Sequence, residues 1–218
     1  MQSIAIQEIP YQPDSENLFA VVRDLPDAIW LDSGKPRSTQ GRFDIISAAP
    51  DALIETTGTL STITDSNGTT TSDADPFELA QQLLQPLLPL DNTAANYPFV
   101  GGLIGYFGYD LGRRLISIDK RAKLVTNLPD MRIGRYHWAL IVDHSARQCQ
   151  LVFHPNCSTQ LRADIIQRYQ SNEPTTETES IFTLAEQFKA TLNQQQYQQA
   201  IGRIKDYISS GDCYQTNF

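Results

Sequence analysis

Three stretches of this sequence carry side chains that could do chemistry. The last is "SSGDCYQTNF", residues 209–218, in which Gln215 and Asn217 alternate with Tyr214 and Thr216. In an extended strand that alternation sends both carboxamides to one face. A carboxamide donates and accepts hydrogen bonds but holds no proton that titrates near neutrality; on residue physics alone the pair satisfies local hydrogen bonds. The second stretch is "LDSGKPRSTQGRFDI", residues 31–45. Ser33 offers a hydroxyl, Arg42 a guanidinium, and the backbone around Gly34 and Gly41 can approach a ligand closely; residue physics alone reads it as a hairpin loop. The third is "GGLIGYFGYDLGRR", residues 101–114. Its glycines lack the Lys-Ser/Thr of a phosphate loop and the spacing of a dinucleotide fingerprint. It reads as a strand whose glycines allow close backbone packing. Tyr106, Phe107 and Tyr109 are then core or interface aromatics, and Asp110, Arg113 and Arg114 sit at its solvent or interface end.

Other chemistries lack a pattern. His137, His144 and His154 are spaced by seven and ten residues, which fits no helical pair of metal ligands; they read as ordinary surface or core residues, and no metal site is expected. The three cysteines, Cys149, Cys157 and Cys213, show no CxxC spacing, so neither a disulfide framework nor a zinc site is expected. No Ser-His-Asp set, Cys-His pair or paired-carboxylate motif stands out. The formal net charge is −8, which argues against nucleic acid and membrane surfaces as partners because both are anionic. The N-terminus has no basic region followed by an apolar run, and no apolar stretch is long enough to span a bilayer. The expectation is a protein of a reducing, cytoplasmic compartment.

The elements that must position these residues are mixed. "DSENLFAVVRDLP" reads as a short helix capped by Asp14 or Ser15 and closed by Pro26. "AIWL", "RFDIISA", "ALIETTG" and the pair around "DSNG" read as one antiparallel meander over residues 28–72, with Asn67-Gly68 as a type I′ turn. "DPFELAQQLLQPLLP" is a helix with Asp75 at the N-cap, Pro76 at the first position and Pro86 bending or ending it. "YHWALIVDH" and "CQLVFH" form a hairpin, and "STQLRADIIQRYQ" is a helix. Residues 171–180, "SNEPTTETES", contain no apolar residue and read as a linker. Beyond it Tyr197, Ile201, Ile204 and Ile208 make a helical stripe stopped by Gly211, followed by the strand-like "CYQTNF". The fold class is α+β, with antiparallel sheets flanked by helices over residues 1–170. Residues 181–218 supply the first helix and strand of a second domain.

Five blocks carry a resemblance: "PYQPDSENLFAVVRDLPDAIWLDSG", "GRFDIISAAP", "GGLIGYFGYDLGRRL", "LPDMRIGRYHWALIVDH" and "SGDCYQTNF". In that order they resemble the N-terminal part of the aminodeoxychorismate synthase component I family, from residue 10 to residue 218. The related anthranilate synthase component I usually has Leu-Glu-Ser where this chain has Leu31-Asp32-Ser33. It usually has a Phe-Gln-Val-Val type of strand where this chain has Tyr214-Gln215-Thr216-Asn217.

The resemblance implies that the whole protein replaces the 4-hydroxyl of chorismate with ammonia, delivered by a glutamine amidotransferase subunit, to give 4-amino-4-deoxychorismate for p-aminobenzoate and folate synthesis. It implies Mg2+ held by glutamates and a lysine in a Pro-Ile-Lys-Gly-Thr motif. Both lie beyond Phe218 in the family, so no catalytic residue is assigned in this chain; Lys35 is followed by Pro36 and cannot stand in. Water-adding relatives place a basic lysine at the position of Gln215. With Asn217, Gln215 is expected at the edge of the chorismate pocket. The resemblance also implies a tryptophan site, structural or regulatory, at which Leu31, Ser33, Arg42 and Phe43 match the family motif while Gln40 and Gly41 fill neighbouring positions. Residues 1–170 would be this tryptophan-site half and residues 181–218 the truncated start of the chorismate-binding domain, inactive alone. The apolar stripe of 195–209 would then pack on the first domain or on another chain. The alternatives are anthranilate synthase component I, or a stand-alone module that binds tryptophan or docks a partner.

Overall fold

The computed structural model describes residues 3–34, 41–87, 90, 92–114, 116, 128–171 and 183–218. In chain order the regular elements are β1 (Ala5–Ile9), α1 (Ser15–Ala20), β2 (Ile29–Leu31), β3 (Phe43–Ser47), β4 (Ala52–Thr57), β5 (Leu60–Asp65), β6 (Gly68–Ser72), α2 (Pro76–Leu84), β7 (Gly102–Phe107), β8 (Met131–Tyr136), β9 (Trp138–Asp143), β10 (Gln148–Phe153), α3 (Thr159–Ser171) and α4 (Gln194–Ser210). They fall into two compact units, Met1–Thr175 and Thr176–Phe218. The expected linker at 171–180 lies, beyond Ser171, outside the described residues.

The first unit is α+β. One antiparallel sheet has the order β1-β10-β9-β3-β2 and the other β6-β5-β4-β8-β7. The second sheet is therefore an insertion: the chain leaves the first sheet after β3, builds all of β4 to β8, and returns through β9. This corrects the expected meander over 28–72. β2 pairs with β3, and β4 pairs with β5 and β8, but β3 and β4 belong to different sheets. The break has a local cause. Ala49 takes a left-handed φ of 54°, and Pro50 has no N–H with which to continue a ladder. The expected type I′ turn is also corrected. Asp65 pairs with Gly68 around Ser66 and Asn67, and within this turn only Gly68 has a positive φ, 118°, whereas type I′ needs two such residues.

The joint between the sheets is stitched by side chains. The Ser47 hydroxyl donates to the Trp138 carbonyl at 2.7 Å, and the Trp138 indole donates to the Ala48 carbonyl at 2.9 Å. Asp51 receives Arg135 at 2.7 Å and His137 at 2.8 Å. The guanidinium and imidazole, outweighing burial, hold the Asp51 carboxyl well below the usual carboxylate range.

Each sheet buries its own core. Ile46, Trp138, Leu140, Leu151 and Phe153 of the first sheet pack against Leu18 of α1, Val22 and Ile165 of α3. Its other face carries Ala139, Ile141 and Val152, packed with Tyr97, Phe99 and Val100. β9 is consequently buried at all six positions, which explains why "WALIVD" is apolar nearly throughout instead of alternating. On the second sheet Ile54, Met131 and Ile133 meet Ala80 of α2 and Leu111. Gly105 on edge strand β7 shows why the third stretch is glycine-rich: a Cβ there would lie 2.0 Å from the Arg132 carbonyl oxygen.

Local signals set the helix ends. Asp75 accepts from the Phe77 amide at 2.7 Å with Pro76 in the first turn, and the chain tightens into a 3-10 turn over Gln85–Leu87 around Pro86. In the second unit α4 opens with a reciprocal box: Asn193 accepts from the Gln196 amide and Gln196 from the Asn193 amide, both at 2.9 Å. It ends at the left-handed Gly211.

Candidate functional site

β2 and β3 run antiparallel with Leu31 opposite Ile45, so the loop beyond Leu31 must return beside the start of β3. Ser33 is caught there by Asp44: its amide donates to Asp44 Oδ1 at 2.9 Å and its hydroxyl to the same oxygen at 2.7 Å. Asp44 is fully buried. Its other oxygen receives the Ser15 hydroxyl from the start of α1 and His144 Nε2 at 2.8 Å. His144 in turn meets the Tyr11 hydroxyl through Nδ1 at 3.1 Å. Burial alone would push the Asp44 carboxyl up. The Ser15 hydroxyl, both Ser33 donors and His144 outweigh it and hold the group well below its ordinary range.

Arg42 turns to a different carboxylate. Its Nε and Nη2 grip Asp143, the closest approach being 2.6 Å, and its guanidinium lies 4.5 Å from the centre of the Phe43 ring. The Arg42 hydrogen bond, opposed by burial and aided by the Ala146 and Ser145 amides, holds the Asp143 carboxyl down. A cleft of about 240 Å³ beside this pair is lined by Arg42, Phe43, Tyr97, Ile141, Asp143 and Gln150 among others.

The six residues singled out in this loop are thus divided. Arg42 and Phe43 share the cleft, Ser33 is committed to Asp44, Leu31 is 47% exposed on β2, Gly41 is buried, and Gln40 lies outside the described residues. The residues that organise the loop, Asp44 and His144, were not among them. A signal existed for Asp44: in "RFDII" it alternates with Ile46 on the apolar face of its strand, and a charge at such a position needs buried partners.

Gln215 and Asn217 sit in the second unit, exposed, in an irregular segment after Gly211. The expected strand at "CYQTNF" is therefore absent. An extended segment needs a neighbour for its N–H and C=O groups, and none of the described strands pairs with it. Near this segment the Tyr197 and Phe218 rings lie 5.7 Å apart, and Ser210 donates to Asp212 at 2.6 Å.

The histidines are held by ordinary partners. His137 and His144 meet carboxylates, and His154 meets the Leu87 carbonyl at 3.2 Å through Nε2 and the Asn156 amide at 3.0 Å through Nδ1. No group of three or more His, Cys, Asp or Glu side chains among the described residues is placed to hold a metal ion.

The model of one protein family, chorismate binding enzyme, matches residues 26–218. The chain belongs to the chorismate-binding enzymes. Two relatives of this chorismate-binding chain are named aminodeoxychorismate synthase component 1. That of Klebsiella aerogenes is 37% identical over 218 residues, covering 100% of this chain and 47% of the relative. That of Escherichia coli K12 is 35% identical over 208 residues, covering 94% of this chain and 44% of the relative. The chain thus spans about half the length of these relatives. The fold is similar to that of anthranilate synthase component I from Streptococcus pneumoniae, with a TM-score of 0.62 at 21% identity over 82% of this chain and 42% of that one. Among the described residues no helix is long and apolar enough to cross a membrane.

Proposed function

We propose that this chorismate-binding chain is part of an aminodeoxychorismate synthase component 1, a cytoplasmic enzyme that converts chorismate and ammonia to 4-amino-4-deoxychorismate and water. The observation that carries the reading is the 37% identity to such a protein over all 218 residues, against 21% for the anthranilate synthase that shares the fold. The balance is a substitution: ammonia's lone pair forms the new bond at C4 of the ring, and the 4-hydroxyl leaves as water after taking a proton. A partner of the glutamine amidotransferase class supplies the ammonia. Ammonia brings its own lone pair and needs no base to create a nucleophile, which agrees with an amide at Gln215 in place of a titrating lysine. In this reading Gln215 and Asn217 contact substrate at the pocket edge, and Mg2+ is held by residues other than those described here.

The same reading places a tryptophan ligand at the loop that follows β2. What supports it is that Ser33, which matches the family motif, is held at the loop by Asp44 through both its amide and its hydroxyl.

The test is product identity. The full-length protein, given chorismate and either ammonium or glutamine with its amidotransferase partner, is expected to form aminodeoxychorismate and no anthranilate. Anthranilate with release of pyruvate would overturn the assignment. The 218-residue chain by itself is expected to form neither product.

A further inference from the structure

A cavity of the first unit lies at the opposite end of the second sheet from the joint. It has a volume of about 340 Å³ and is lined by Thr57, Thr59, Arg113, Arg114, Leu128 and Asp130, with Gly58 and Asp110 between them. It lies where "GYDLGRR" leaves β7 as a 3-10 turn, Tyr109–Arg114, and meets the tip of the β4–β5 hairpin. The function proposed above makes no use of this motif.

The polar groups here are unequally matched. Arg113 is paired with Asp110 at 2.7 Å. Among the described residues the Asp130 side chain takes only the Gly58 amide, on its Oδ2, at 2.7 Å. Arg114 donates to three carbonyl oxygens, of Gly58 at 2.9 Å and of Asp73 and Ala74 at 3.2 Å. Those contacts anchor the guanidinium at the cavity wall, but no carboxylate neutralises it among the described residues. Leu128, 68% exposed, supplies an apolar surface that nothing described covers. The Thr57 and Thr59 hydroxyls have no hydrogen-bond partner among the described residues.

We propose that this cavity is a binding site for a small carboxylic acid with an apolar ring and a hydroxyl or amine at its far end. The carboxylate meets Arg114, the ring lies against Leu128, and the distal donor meets Asp130 or a threonine hydroxyl. The fixed anchoring of Arg114 means that little side-chain ordering is needed on binding. A cavity of about 150 Å³ suffices for benzene, so a substituted ring fits. A dianion is disfavoured because Asp130 lies in the same wall, and a neutral ring leaves Arg114 unmatched.

The test uses the 218-residue chain and 4-hydroxybenzoate as the probe, titrated while backbone amide NMR signals are followed. Shifts are expected at Gly58, Thr59, Arg114 and Leu128, with saturation at millimolar probe. Benzoate and 4-hydroxybenzyl alcohol, each lacking one polar end, are expected to bind at least threefold more weakly. Leu128→Glu, a change at an exposed position that leaves the fold intact, is expected to weaken binding tenfold or more. Arg114→Lys keeps a charge while losing the fork, and is expected to weaken it less than Leu128→Glu. The proposal is overturned if the probe shifts no signal in this set, if the shifts map elsewhere, or if Leu128→Glu binds as well as the parent chain.

Discussion

Ser15, Ser33 and His144 converge on one buried carboxylate, so a single atom change at Asp44 exposes how much the loop depends on it. Asp44→Asn keeps the shape but turns two of the receiving sites toward donors. The expected loss is about 3 kcal/mol by urea denaturation at neutral pH, the scale for breaking a buried charged network. The pH dependence has a definite sign. Asp44 is held below its ordinary range when folded, so its stabilisation is fully present above the unfolded value, about 4. Below that pH the unfolded chain takes up a proton that the folded chain refuses, and the advantage declines. The gap between parent and variant should therefore be constant from pH 5 to 7 and narrow below pH 4. A gap that widens in acid would show that Asp44 is not held as the anion. Ser33 was legible in the sequence because its chemistry is local. Its dependence on Asp44 was not, because the partners that converge there lie 11, 29 and 100 positions away along the chain.

Some element ends set by adjacent residues were legible: Asp75 with Pro76 starts α2, and Gly211 stops α4. The Asn193–Gln196 box that starts α4 was not read from the sequence. Nor was the passage from β3 to β4, since nothing in "SAAPDAL" states that the flanking strands belong to different sheets. β8 was equally hard to see. Its Arg132 and Arg135 are paired with Asp27, Glu55 and Asp51, all distant in sequence. Only the structure shows that Ala49 is the bend, at a φ of 54°. A left-handed alanine costs about 1–2 kcal/mol, and glycine removes that strain while adding about 0.4–1 kcal/mol of unfolded-state freedom. Ala49→Gly is therefore expected to raise the melting temperature slightly, by about 0.5 kcal/mol of stability. Ala49→Val, branched at Cβ, is expected to lower it clearly. Calorimetry of the two variants separates a strained bend from an ordinary turn, for which the order would be reversed.

At the scale of the whole first unit, the second sheet is a guest within the first. Ala48 and Trp138 stand at the two ends of the detour, where a hydrogen bond of 2.9 Å already joins them. Joining them by a tight Asn-Gly turn would make β3 and β9 an ordinary hairpin. The shortened chain is expected to keep Trp30 and Trp138 in a buried environment, because the core shared with α1 and α3 contains no residue of the deleted segment. It should also bind a hydrophobic dye, because Tyr97, Phe99 and Val100 would no longer cover Ala139 and Ile141. Tryptophan emission like that of the unfolded chain would mean that the first sheet cannot stand without its guest. The nesting also imposes an order on biosynthesis. The second sheet has all its strands once Tyr136 has emerged from the ribosome. β1 waits for a partner that ends at Phe153, its own first residue being Ala5. β1 thus emerges well before its partner and is among the last strands of the first unit to find its place, a long interval in which it depends on being kept from other partners.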